Sequence, residues 1–397
     1  MYDVLCSFGL TCVILILMFL ITWKGTLAQV EIGLFEAQKK YFDSAFFTED
    51  LLGVPIPVPG GYLLMGALFL NLLLGGMVRI RKRRATAGII VVHIGIALML
   101  LAGFVKMHHS TEGAIRFCKG QEASEFVSHH EWQLAIAARQ DDDTWREYVI
   151  EGPRFLSLSA SERATFTHDE LPFRVELHGF ARNGYVRPDG VGDRTSQPVI
   201  DGFWVDRLAL NPENEKNLAA SYVDLIPGDG AGESVTGILW GVGRDPFAAE
   251  VGGRQYTINL RKKIFPLDFS FRLDKFHKKD HPGTTMAADF RSWVTKFEGE
   301  SRENTQKIEI SMNEPLRHRG YVVYQNQFGP PDDESDGEFY SILAVVENPS
   351  DQWPLYSCII ISIGLLMHFI RKLSLYAKAE NRAAETAETP EPSEVPT

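Results

Sequence analysis

The chain has 397 residues, a formal net charge of −11, 45% hydrophobic residues and four cysteines. The acidic balance argues against a nucleic-acid partner. Cys6, Cys12, Cys118 and Cys358 form no Cys-x-x-Cys or Cys-x-x-Cys-His spacing. A thiol-disulfide exchanger of the usual kind, a c-type cytochrome and a disulfide scaffold in the polar middle of the chain are therefore excluded.

Four apolar stretches of about 18–20 residues are long enough to span a bilayer. The first covers residues 5–23; it has no basic start and runs into Trp23-Lys24-Gly25-Thr26 rather than an Ala-x-Ala-like site, so it reads as a retained anchor. In the following loop, 24–60, Phe35, Phe42 and Phe46 recur at helical spacing with Glu36, Lys39, Lys40 and Asp43 on other faces. This predicts an amphipathic helix over 30–47, lying on the membrane surface or packed beneath a polar domain. A Pro/Gly-rich segment, 54–61, ends it. The second span is 61–78, in which Asn71 is expected to hydrogen-bond a neighbouring helix.

Five of the six residues Arg79-Ile-Arg-Lys-Arg-Arg84 are basic, which marks 79–84 as a cytoplasmic loop. The third span, 85–104, contains His93, and the fourth, 353–370, closes on Arg371-Lys372, also inside. Residues 105–352 are then expected outside, and 371–397 as a disordered cytoplasmic tail rich in Ala, Glu, Pro and Thr.

The outer domain reads as β-rich. Short alternating or β-branched and aromatic runs lie at 132–138, 173–180, 203–210, 256–260, 269–276, 291–297, 307–312, 321–325 and 341–346, separated by turn-rich segments such as 211–214, 227–232 and 241–246. No helical crossover pattern lies between them. The fold class is thus a membrane protein of the α+β type: four transmembrane helices with a large antiparallel, sandwich-like or barrel-like β-domain between the third and fourth. Two stretches, 171–180 and 267–276, share Leu, Phe, Leu and Phe at the same offsets and read as strands with one buried face.

His93 is the residue most in need of a function. Counted from residue 85 it lies about 12 Å into the membrane, near the midplane. An imidazole there is costly, and it acts as a proton relay or metal ligand or else hydrogen-bonds across the bundle, for example to Asn71. His108 and His109 mark the end of the third span and are read as a surface hinge. The chain shows no Gly-rich phosphate loop, Gly-x-Ser-x-Gly or His-Glu-x-x-His, so an enzyme acting alone is not expected.

Three stretches carry a family resemblance. Gly25-Thr-Leu-Ala-Gln29 follows the first span, Phe265–Phe276 runs into His281-Pro-Gly-Thr284, and Met312-Asn-Glu-Pro-Leu-Arg-His-Arg-Gly-Tyr-Val-Val-Tyr-Gln-Asn-Gln-Phe328 closes the outer domain. With the arrangement of spans, they resemble the ResB (also CcsB) family of cytochrome c biogenesis proteins over residues 1 to about 372. The resemblance implies that the chain carries haem outward and delivers it to apocytochrome c, together with a CcsA/ResC-type membrane protein. In that family the third span holds a histidine proposed to ligate haem iron, the place His93 occupies. His368, near the cytoplasmic end of the fourth span, either simply sits in the membrane interface or is a ligand at the haem entry. Because helical rise separates the two histidines by some 8–10 Å, one iron is not expected to take both. Gly25, Thr26, Gln29, Asn313, Pro315, Leu316, Gly320, Tyr324 and Gln325 are motif positions expected to shape the fold. The seven tryptophans are scattered and form no tryptophan-rich motif, so the chain resembles the ResB half alone. The resemblance implies an integral membrane protein of the bacterial inner membrane, with a thylakoid membrane as the alternative, and lipid around its helices. The competing reading is a scaffold that binds no haem, whose outer domain holds the apocytochrome or braces the partner.

Overall fold

The computed structural model describes residues 2–51, 53–140, 144–194, 197–228, 233–242, 246–299, 305–330 and 337–388. The chain divides into a helical unit, residues 1–29, 36–110 and 348–397, and a β unit, Val30–Phe35 with Thr111–Glu347.

Four helices of the first unit are long and apolar enough to cross a membrane. They are α1 (Phe8–Ile32), α2 (Gly61–Val78, π-helical from Leu72), α3 (Ala87–His109) and α4 (Trp353–Glu388). Two differ from their expected limits. No proline stands between residue 23 and Ile32, and Thr22 and Thr26 return their hydroxyls to the carbonyls of Met18 and Thr22, both at 2.8 Å, so α1 continues through Gly25. Gly33, at φ +82°, then supplies the left-handed residue that stops it. The tail expected to be disordered from 371 is helical to Glu388, because its Ala, Glu, Lys and Arg residues are good helix formers and no proline precedes Pro390. Residues 389–397 lie outside the described residues.

The amphipathic helix expected over 30–47 forms only over 34–42. After Gly33 come one α-helical turn, Leu34–Ala37, a π-helical turn, Gln38–Phe42, and a hairpin of Phe46–Leu51 with Val54–Pro59. The alternation Val-Pro-Ile-Pro-Val-Pro has the period of a strand, and its prolines all fall on one edge, opposite Asp50, Thr48 and Phe46. The three phenylalanines consequently part company. Phe46 is exposed, Phe42 closes on α1 and Phe35 stacks on His130 within the β unit at 4.2 Å.

Helices α3 and α4 are antiparallel and meet along small residues at heptad spacing. Gly88, Gly95 and Ala102 of α3 are buried, as are Ser350, just before α4, and Ser357 and Gly364 within it. A Cβ on Gly88 would stand 2.7 Å from the Gly364 carbonyl oxygen, and one on Gly364 2.7 Å from the Val92 nitrogen. At the other end the Ser350 hydroxyl donates to the Ala102 carbonyl at 2.9 Å. Lipid offers no hydrophobic drive for helix association, so close packing of this kind supplies it.

The β unit has two cores. A ten-stranded antiparallel sheet contains, in spatial order, Gln306–Ile310, Ala287–Glu298, Arg254–Asp280, Glu122–Arg139, Thr111–Phe117, Tyr340–Glu347, Tyr321–Gly329 and Leu316–His318. Phe247–Val251 and Trp145–Glu151 pair alongside it. A four-stranded sheet, Val235–Trp240, Ala220–Pro227, Phe173–Ala181 and Arg163–Phe166, packs on part of its face, burying Leu134, Ile136, Val175, Leu177, Val223 and Ile258 among others. This is the sandwich. The rest of the large sheet wraps a second core of Phe117, Phe126, Phe269, Phe271, Val294, Val323 and Leu343. The two ends of the strand path are linked by the Ser311–Glu314 bridge, which gives this half a barrel-like form.

Strand Arg254–Asp280 serves both cores. Tyr256, Ile258 and Leu260 face the first and Leu267, Phe269, Phe271 and Leu273 the second, with shifts in pairing register around Ile264 and Pro266. The alternation expected for 171–180 and 267–276 is present in both, each with one buried face. Each of the nine runs expected from sequence coincides with or overlaps a strand. The turn-rich segments 227–232 and 241–246 fall partly outside the described residues.

Two predictions follow from this packing. Gly364→Val should destabilise the helical unit by about 1–3 kcal/mol, the range for forced overpacking. Gly66→Val, on a helix position with nothing within 4 Å, should leave the thermal melt in detergent unchanged. In the β unit, Lys262 donates to the His129 carbonyl at 3.0 Å and lies over the Trp132 ring, and burial pushes its ammonium down to about 8. The unfolded chain keeps that proton to about pH 10.4. Between about pH 8 and 10 the unfolded state thus binds more protons, so stability should rise with pH over that window and be flat with respect to this group below it. Lys262→Met should abolish the rise in melts taken from pH 7 to 10.

Candidate functional site

His93 projects from α3 toward the end of α2, and its Nδ1 lies 2.8 Å from the carbonyl oxygen of Gly76. The pairing has a local cause. Helix α2 ends at Val78 in π-helical geometry, with the Arg79 N–H reaching back to the Leu74 carbonyl. The carbonyl of Gly76 is one of the last in the helix and has no helical donor. Only glycine suits that position, since a Cβ there would stand 2.7 Å from His93 Nδ1.

A carbonyl only accepts, so Nδ1 must carry the proton. The neutral ring therefore has its lone pair on Nε2, which takes no protein partner among the described residues. A backbone carbonyl that accepts from one ring nitrogen, fixes the tautomer and aims the other nitrogen outward is the usual support for a metal-ligating histidine.

Asn71 does contact a neighbouring helix, but not α3. Its side chain is buried, accepts from Thr11 of α1 at 2.6 Å and donates to the carbonyls of Leu5 and Ser7 at 2.7 and 3.2 Å. The alternative pairing of His93 with Asn71 is not formed. The depth of His93 also changes. Counted from the observed helix start at Ala87 it is about 9 Å along a helix of 23 residues, in the third nearest the basic loop rather than the middle.

His368 is half-buried on α4 beside Gly88, where a Cβ would lie 2.8 Å from the His368 backbone nitrogen. Gly88 precedes His93 by five residues, about 7.5 Å of rise and roughly 140° around α3. His368 of α4 thus meets α3 at Gly88, on a different face of that helix from the one that carries His93. At the far end of α3, His108 packs on Phe104 with ring centroids 4.6 Å apart, and its Nε2 is 3.5 Å from the Tyr62 hydroxyl. No group of three or more potential metal ligands exists among the described residues.

The motif positions are structural in their surroundings. A Cβ on Gly25 would reach within 3.0 Å of the Phe42 ring, so the bare backbone admits that ring against α1. Thr26 bonds back along α1, and Gln29 is half-buried near the end of this helix. Asn313 and Pro315 belong to the turn joining Gln306–Ile310 to Leu316–His318, and Leu316 is in the second core. Arg319 and Gly320, with φ of +48° and +88°, form the two-residue turn of the hairpin that pairs His318 with Tyr321. Tyr324 is half-buried in the next strand. Gln325 is buried, accepting from Ser292 at 2.6 Å and donating to Ser341 at 3.0 Å, while the two hydroxyls are 2.9 Å apart.

One cluster was not legible in the sequence. Lys296, only 5% exposed, donates to Glu298 at 2.7 Å and to His318 Nδ1 at 3.1 Å. His318 Nε2 is 3.3 Å from Glu298 without hydrogen-bond geometry. Burial first and then the Lys296 charge hold the imidazole below its usual range, while the Lys296 bond holds Glu298 below its own. Lys296 and His318 stand 22 positions apart in two strands, with nothing in their spacing to pair them.

Residues 250–336 match the model of the ResB-like family. That segment includes the Phe265–Thr284 and Met312–Phe328 stretches but none of the four long helices. No match to a curated protein is found. The family points to cytochrome c biogenesis in general terms, and the four apolar helices make the chain a membrane protein.

The Gln325 triad gives a prediction for the motif. Gln325→Leu leaves the Ser292 and Ser341 hydroxyls short of a partner, and unsatisfied buried groups cost about 1–3 kcal/mol each. A lowered midpoint in denaturant is expected, with partial recovery when Ser292→Ala is added.

Proposed function

We propose that this protein is the ResB-type membrane subunit of a cytochrome c maturation assembly, and that His93 gives haem iron an axial nitrogen as the haem crosses toward apocytochrome c. The observation that carries the reading is the Nδ1–H bond from His93 to the Gly76 carbonyl, which leaves Nε2 free to coordinate. A neutral imidazole binds iron without burying a charge in the bilayer, which suits a cargo site between helices.

The basic residues 79–84 set the loop beside His93 on the cytoplasmic side, so haem is reached from that leaflet, and the β unit is then exterior, in the periplasm of a bacterial inner membrane. Since His368 packs on α3 at Gly88, on another face from His93, the second axial position of the iron at His93 falls to a CcsA/ResC-type partner. His368, closer to the cytoplasmic end of α4, serves as an entry ligand. Thioether formation belongs to the assembly; this chain binds and orients.

The test is haem content of the chain co-purified with its partner. His93→Ala should remove most of the Soret absorbance, and added imidazole should restore it by filling the vacated position. Gly76→Val keeps the ligand but crowds its ring, and a loss of about 10–100-fold in haem affinity is expected from disturbing such a support. Haem content unchanged in both variants would overturn the ligand assignment and leave the scaffold reading, in which maturation tolerates changes at His93 but not loss of the β unit.

A further inference from the structure

The β unit contains a cavity of about 280 Å³ lined by Ser161, Arg163, His178, Gln197, Arg207 and Tyr222, remote in sequence from the matched family segment. Its walls are fixed. The Tyr222 hydroxyl donates to the Pro198 carbonyl and accepts from the Val205 N–H, both at 2.9 Å, so one side chain ties three segments together. The His178 ring stacks on Tyr222 with centroids 5.3 Å apart, and its Nε2 is 3.2 Å from Asp224. Gly179, at φ +62°, has no Cβ to stand 3.3 Å from Arg207 Nη2, which lets the guanidinium lie across the strand.

The charges around the cavity are unequal in their partners. Arg163 is paired with Glu176 and stands 3.8 Å from Asp224. Glu162, also in the wall, accepts the Ser159 N–H at 2.6 Å. Arg207 reaches only a backbone oxygen, that of Ala160 at 3.3 Å, and no carboxylate among the described residues. Opposite in character, Gln197 presents a buried Oε1 with no donor. Buried acceptors are rarely left unpaired, and a guanidinium that lines a cavity and has no carboxylate on it is suited to an anionic oxygen pair.

We propose that this cavity binds a small carboxylate that also donates a hydrogen bond, the combination found in an α-amino acid: the carboxylate on Arg207 and the donor on Gln197 Oε1. Glu162 at the rim favours a donor that is an ammonium over a hydroxyl. Dependence on both groups is what distinguishes this from a simple anion site.

The experiment uses the full chain in detergent, titrated by calorimetry with L-alanine, propionate and L-alaninamide, which carry both groups, the carboxylate alone and the donor alone. L-alanine should bind to saturation, with the other two at least about tenfold weaker, the effect of losing one good polar contact. Arg207→Gln should remove L-alanine binding while the thermal melt is retained. Should that variant not fold, Gln197→Met tests the other contact and should weaken L-alanine by about tenfold while leaving propionate unchanged. Equal binding of the three probes, no saturable binding of L-alanine, or affinity unaltered in both variants would overturn the proposal.

Discussion

A bilayer interior supplies no water, so every backbone N–H and C=O placed there must be satisfied by the protein itself. The helical unit is organised by that requirement. Helical hydrogen bonding meets most of it, and side chains meet part of the remainder at the places where helices end or turn: Asn71 on the carbonyls of Leu5 and Ser7, and His93 on that of Gly76. His93 is thus held by a structural need before any ligand arrives. The same bond that satisfies α2 selects the tautomer that coordinates iron, so fold and proposed function draw on one contact.

How much of this was legible in the sequence depends on range. The four apolar segments and the β-rich middle were readable because both signals are local, a run of apolar residues or an alternation of period two. The helical unit went astray where a short pattern admits two answers. Phe35, Phe42 and Phe46 fit a helix by spacing, but Gly33 and the alternating prolines after Val54 impose a break and a hairpin. The composition of the tail after Arg371 suits disorder, but the same alanine and glutamate content favours helix once α4 has been nucleated.

For the site, the identity of His93 was visible and its partner was not. Asn71 was the polar neighbour available to a sequence reading, whereas the actual partner is a backbone oxygen at a glycine, a group that every residue possesses and no side-chain pattern announces. The Lys296–His318 pair and the cavity around Arg207 were hidden for the related reason that their members come from strands brought together by sheet pairing. Gly179 is informative only because of what lies over it.

Strand Arg254–Asp280 is continuous through both cores of the β unit and pairs along its length with Glu122–Arg139, which is shared in the same way. Neither core has a separable boundary, because cutting between them means cutting two central strands. The sandwich half and the barrel-like half accordingly form one cooperative block, with amide protons along the shared strands exchanging only when the whole block opens. The family-matched segment begins near the start of that strand and so occupies part of a domain that cannot be excised with its fold intact. Variation in the unmatched half, including the cavity beside Arg207, is thereby coupled in stability to the matched one.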